Sequence, residues 1–338
     1  MSADLSVPLP EFAHNKINLA SLRLGAGVIF ATDDFFADKC RMIADAPPQF
    51  DPDKYDTHGK YMDGWESRRR RQGGHDFAIV KLGARGVIHG VDLDTSFFTG
   101  NFPPAASIEA CDLPLGRDPD DKTIWTEILA AQSLSASNHH FHQIASKEAW
   151  THLRLHIYPD GGIARLRVYG DPVPVWNGKE AQGVHELSLA NNGGRIMAYN
   201  NAHYGSVWTL LTLGRGVNMG DGWETRRRRE PGNDWIIIRL GAPGVIEKIE
   251  VDTCHYKGNF PDRCSIQAAM VTNSTEKSLV TEAMFWPSLL GEQKLSADAI
   301  HHFERDKLAD LGAVNHVKLN IFPDGGVSRL RVFGRLKG

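Results

Sequence analysis

The chain has 338 residues, of which 41% are hydrophobic and 23% charged, a balance that excludes a disordered or fibrous chain and leaves room for two ordinary domains. Lys and Arg number 38 against 41 Asp and Glu, a formal charge of −3, which excludes the broad positive field of a general nucleic-acid binder. No stretch approaches the ~18 consecutive apolar residues of a membrane helix, so neither nucleic acid nor a membrane is an expected partner.

In chain order, residues 1–11 carry Pro8 and Pro10 where a signal peptide would need an apolar block, and a cytoplasmic location is expected. The four cysteines, Cys40, Cys111, Cys254 and Cys264, have no C-x-x-C spacing and are expected as reduced, buried thiols. A small-residue region with Asp33-Asp34 precedes Asp63-Gly64-Trp65-Glu66 and the run Arg68, Arg69, Arg70, Arg71. Residues 77–82 are rich in β-branched and aromatic side chains and predict a strand. An Ile/Val strand follows and ends at Asp94-Thr95, just before Gly100-Asn101-Phe102-Pro103. After His139-His140-Phe141-His142, Leu153, Leu155 and Ile157 alternate with Arg154 and His156 up to Pro159-Asp160-Gly161-Gly162. Leu166 and Val168 then alternate with Arg165 and Arg167, and the whole predicts a hairpin around an Asp-Gly turn.

The remaining sequence repeats the first part. Residues 63–110 align without a gap on 221–268, about half the positions being identical, and THLRLHIYPDGGIARLRVYG from Thr151 matches NHVKLNIFPDGGVSRLRVFG from Asn315. Upstream, 25–37 weakly matches 193–205. A unit of roughly 160 residues is a whole domain and not a solenoid repeat. The expected domains are 12–171 and 184–338, joined by a Pro- and Gly-containing linker at 172–183. Short strands separated by Gly, Pro and Asn turns, with no long 3.6-period segment, predict an all-β fold. Two tandem homologous jelly-roll β-sandwiches are expected, similar to the galactose-binding-like type, with ligand loops gathered at one end of each.

Three constellations could carry chemistry. The arginine runs recur as Arg226 to Arg229, and a planar guanidinium suits bidentate recognition of a carboxylate, with Glu66 or Glu224 beside it as orienter, acid or base. On a strand, alternation would put Arg68 and Arg70 on the other face from Arg69 and Arg71; in a loop the run could form one patch. Asp94 with Asn101, and Asp252 with Asn259, place a carboxylate and an amide around a tight loop, where small-molecule sites form but where both residue types also cap backbone. His255 replaces Phe97 in that loop. The third is histidine: His139 to His142 set against His301-His302-Phe303-Glu304, with His152 and His316 opening strands as acid/base candidates. No metal-binding helix motif, phosphate-binding loop or serine elbow is present, so a metal remains open.

The motifs DGWE[ST]RRRR, D-T-x-x-x-x-GN-F-P and P-DGG-x-x-RLRV-[YF]-G, each present twice, resemble those of the allantoicase family over nearly the whole chain. The resemblance implies tandem galactose-binding-like jelly rolls that hydrolyse allantoate to ureidoglycolate and urea in purine degradation. It makes sense of Glu66, Asp94, His152, Glu224, Asp252 and His316 as catalytic candidates. It does the same for Arg68, Arg70, Asn101, Arg226, Arg228, His255 and Asn259 as substrate contacts. No cofactor is required by the residues, although a divalent cation such as manganese could polarise a ureido carbonyl. Self-association into a homo-oligomer is expected. The rival expectations are a non-catalytic tandem small-molecule or carbohydrate-binding module, and a hydrolase of a related ureido acid. Which repeat is active is left open.

Overall fold

The computed structural model describes residues 8–114, 116–176 and 182–337. The chain divides between Val173 and Pro174 into two compact units, each a β-sandwich of the jelly-roll class. Of the expected linker, residues 177–181 lie outside the described residues, and Pro172 ends the strand Arg165–Pro172. No helix among the described residues is long and apolar enough to cross a membrane.

One strand organises the first unit. Asp76–Asp94 runs for 19 residues with buried and half-buried positions alternating over most of its length, as a pleated strand with one face on a core requires. Its first half pairs antiparallel with Gly27–Ala31 and Ala149–Tyr158. Its second half pairs with Arg165–Pro172 and His139–Gln143. Between them residues 82–85 drop out of the ladder, because His152 pairs with Lys81 and Trp150 with Gly86. The strand thus serves both layers of the sandwich. Glycine is needed at the change of layer: a Cβ on Gly86 would stand 2.6 Å from the Asp171 carbonyl. The first layer continues through Ala105–Cys111 to Thr126–Ser133, and the second through Arg165–Pro172 to Ile17–Asn18. Ala78, Val80, Leu153, Leu155 and Ile157 of one layer meet Ile88, Val91, Leu93, Leu166 and Val168 of the other in a single core, each large aliphatic side chain contributing about 1.5–3 kcal/mol.

The second unit repeats this plan around Asp234–Asp252, which pairs with Arg195–Tyr199, Ala313–Phe322, Arg329–Leu336 and Ile300–Glu304. It adds the seven-residue helix Glu276–Glu282, opened by a capping box between Thr275 and Ser278. Leu279 and Ala283 of this segment pack on Ile237 and Trp286. The sequence patterning did not predict it, since seven residues are too few to show a helical period.

Two sequence expectations are corrected. Ala149–Tyr158 and Arg165–Pro172 do not form a hairpin; each pairs with a different half of Asp76–Asp94, and the turn between them carries the chain from one layer to the other. Period-two alternation reports a buried face without naming the partner strand. The histidine segments are also out of step by one residue, because Asp94 faces His139 whereas Asp252 faces Ile300. His140 therefore corresponds to His301. Each accepts at Nε2 from a serine N–H and so donates from Nδ1 to a strand carbonyl, Leu93 or Val251.

Candidate active site

The three duplicated motifs converge. Trp65–Glu66 forms a short ladder with Gly162–Ile163, which lays the D-G-W-E segment along the P-D-G-G turn. The Gly162 N–H donates to the Asn101 carbonyl at 2.7 Å and the Ser67 N–H to the Gly161 carbonyl at 3.1 Å. Asp160 accepts from the Arg70 N–H at 2.7 Å, and Asn101 Nδ2 donates to Glu66 Oε1 at 2.6 Å. The second repeat reproduces the frame: Gly326 on Asn259, Thr225 on Gly325, Arg228 on Asp324 and Asn259 on Glu224. Gly325 sits at φ 135°, a conformation that L side chains rarely adopt.

In the second repeat the frame borders an open cavity of about 710 Å³, lined by residues of all three motifs, 224–228, 258–260 and 323–325, together with His203, Tyr204 and Asp262. The arginine run is a loop, since the adjoining strand is only Trp223–Glu224, and Arg226, Arg227 and Arg228 all line the cavity. Arg228 is partly committed, to the buried Asp234 at 2.6 Å, as Arg70 is to Asp76. Arg226 is more available, its pair with Glu230 at 3.1 Å having both side chains 60% exposed. In the first repeat, Arg68 pairs with Asp33 at 2.6 Å. Burial alone would raise the Asp33 carboxyl, but hydrogen bonds from Arg68 hold it below its ordinary value. Burial lifts Glu66 above the usual carboxylate range against the opposing Asn101 hydrogen bond, which favours a proton-carrying acid.

Residues 17–173 and 185–337 each match the sequence model described as Allantoicase repeat. The chain belongs to the allantoicase family. It is 59% identical over 337 residues to "Probable allantoicase 1" of Burkholderia mallei, covering 99% of each chain. It is 58% identical to "Probable allantoicase" of Ralstonia nicotianae over 97% of each. Among solved structures it resembles allantoicase from Saccharomyces cerevisiae, with a TM-score of 0.77 and 36% identity, over 94% of this chain and 92% of that one.

Within this allantoicase-family fold the sequence-derived candidates separate into groups. Glu224, Arg226, Arg228 and Asn259 share the cavity, and Glu66, Arg68, Arg70 and Asn101 hold the corresponding frame in the first repeat. Asp94 and Asp252 lie buried at strand ends, where Asp94 caps the Ser96 N–H at 2.7 Å. Asp252 caps Cys254 at 2.9 Å and takes Arg215 at 3.0 and 3.1 Å. Burial raises the Asp94 carboxyl. His255, at φ 70°, turns its ring to the Gly216 carbonyl at 2.8 Å; neither it nor Asp252 lines the cavity. His152 and His316 are buried, seven residues before Pro159 and Pro323, on the order of 20 Å along an extended strand. His316 packs 6.0 Å from the Trp286 ring, and burial pulls its pKa down to about 4; His152 is lowered for the same reason.

Residues missed in the sequence include His203 and Tyr204 on the cavity, Asn201 and Asp33 beside the arginines, and Asp234 beneath them. Their signal was the weak match of 25–37 with 193–205, in which Phe35-Phe36 becomes His203-Tyr204 and Asp33 becomes Asn201. The donors do not fit a resident divalent cation in the histidine segments. Both ring nitrogens of His140 and His301 are engaged, His139 Nδ1 is on Asp92, and among the described residues there is no group of three or more His, Cys, Asp or Glu placed to hold a metal.

Proposed function

We propose that this protein hydrolyses allantoate to ureidoglycolate and urea, a step of allantoin and purine degradation, in the cavity the three motifs build. The observation that carries the reading is the pairing of Glu224 with Asn259 beside Arg226 in one cavity, in a chain of the allantoicase family.

Allantoate has a carboxylate on a carbon bearing two ureido groups. The guanidinium of Arg226 takes the carboxylate, a fork-to-fork match that fixes orientation as well as charge, and the surface pair with Glu230 costs little to give up. Asn259 donates to Glu224 Oε1, leaving the other oxygen for the substrate. Glu224 protonates the leaving ureido nitrogen while the lone pair of the remaining ureido nitrogen expels urea, so the C–N bond breaks and an acyliminium-like carbon forms. The ionised Glu224 faces that cationic centre and stabilises it. Water then adds through oxygen, its proton returns to Glu224, and the acid is restored.

The test follows urea and ureidoglycolate after allantoate is added to the purified chain. Release of both in equal amounts is expected. Neither product from a folded sample would overturn the reading, and saturable binding without turnover would make the protein a binding module.

A further inference from the structure

The two repeats set the same backbone frame around different charges. Trp65 Nε1 donates to the Asp33 carbonyl and Trp223 Nε1 to the Asn201 carbonyl, both at 2.8 Å. The Arg68 N–H donates to Asp33 Oδ1 at 2.9 Å, and the Arg226 N–H to Asn201 Oδ1 at 3.0 Å. Asp33 and Asn201 therefore stand at one structural position and differ by a charge.

That charge decides what the neighbouring arginine can bind. In the first repeat Asp33 Oδ2 takes Arg68 Nε at 2.7 Å and its terminal nitrogen at 2.6 Å, the two-nitrogen grip a substrate carboxylate would otherwise occupy. The guanidinium also lies 5.0 Å from the Phe35 ring centroid; after this point the two repeats diverge, Ala37 pairing with Glu66 where Tyr204 pairs with Glu224. A second carboxylate arriving there would meet Asp33 as a like charge. In the second repeat Asn201 offers the same backbone support without charge, the Arg226 guanidinium pairs, among the described residues, with the exposed Glu230, and His203 and Tyr204 add polar groups to the cavity wall.

We propose that the substrate carboxylate is read in the second repeat alone, by Arg226 beside the neutral Asn201, and that Asp33 occupies the equivalent anion position in the first repeat. Asn201 is then a specificity-determining residue and the chain has one catalytic pocket. This rests on the allantoate reading above.

The test uses isosteric exchanges in the full chain, after wild-type turnover of allantoate has been established; its absence would sink the allantoate reading and leave this comparison without a reaction. In an active enzyme, Asn201→Asp is expected to raise KM for allantoate by roughly tenfold or more with kcat within about threefold. It should weaken competitive inhibition by N-carbamoylglycine in parallel and leave inhibition by the uncharged amide of that compound unmoved. Asp33→Asn keeps the Oδ1 acceptor and should change neither constant by more than about twofold. Arg226→Gln, at an exposed side chain, gives the same KM rise independently of any folding defect in Asn201→Asp. An unchanged KM in Arg226→Gln, or a KM change in Asp33→Asn as large as in Asn201→Asp, overturns the proposal.

Discussion

Glu224 and His316 were both candidate acids by residue type, and the fold puts them in different surroundings. Glu224 is half-buried in a polar cavity and held by one amide. Removing its proton should abolish acid catalysis while leaving that hydrogen bond possible. Glu224→Gln is therefore expected to lower kcat by about 10²–10⁴-fold with little change in melting temperature, measured by urea release and thermal unfolding on the same preparation. His316 is buried against Trp286 and engages Asn315 Oδ1 at 2.8 Å. Its folded pKa of about 4 lies below the ordinary histidine value of 6.5. The unfolded chain therefore binds a proton that the folded chain refuses. Stability from this group is fully present above about pH 6.5 and is lost as pH falls toward 4. Urea denaturation across that window should show a smaller acid slope for His316→Asn than for the wild type. The acid/base potential of His316 was legible from its type and strand position, but its distance from the cavity depended on where the strand lies in the layer.

At the scale of elements, the P-D-G-G turn is a clasp more than a hairpin end. A Cβ on Gly325 would stand 2.7 Å from both the Asn259 carbonyl oxygen and the Pro261 nitrogen, at a backbone angle already unfavourable for L residues. Gly325→Ala is expected to cost about 1–3 kcal/mol and to disturb Asn259, and through it Glu224. Urea unfolding should show the stability loss and steady-state kinetics a drop in kcat beyond it. The turn residues were legible because proline, aspartate and glycine each carry a backbone reason. The pairing was not: Leu155 and Val168 alternate correctly, yet their strands join different halves of Asp76–Asp94. The helix Glu276–Glu282 escaped for a related reason, its buried surface resting on Leu279 and Ala283, too few positions to reveal a period. By contrast, Glu224 and Asn259 were each legible as candidates because both sit in long motifs copied twice, although the sequence set Asn259 with Asp252 and only the fold brings it to Glu224.

For the molecule as a whole, duplication was the most legible feature, since two long ungapped matches require no structural knowledge to see. The departure from symmetry was harder to read. It rests on single exchanges such as Asp33 to Asn201, in the weakest of the three matching blocks. Each unit closes its two layers with its own strands, so residues 174–338 expressed alone are expected to fold. Their urea unfolding should be a single transition, with an m value of about 1–3 kcal/mol/M, followed by tryptophan fluorescence, to which the buried Trp223 contributes.

The 19-residue strand at the centre of each unit also sets the size of the smallest piece that can come apart. In a sandwich whose layers are made of separate strands, one layer can loosen while the other stays paired. Here, opening either layer strips partners from half of a strand whose other half anchors the opposite layer. The amides of both halves are therefore expected to exchange with solvent through one shared opening, and hydrogen exchange that protects one half far more than the other would show that the layers open separately.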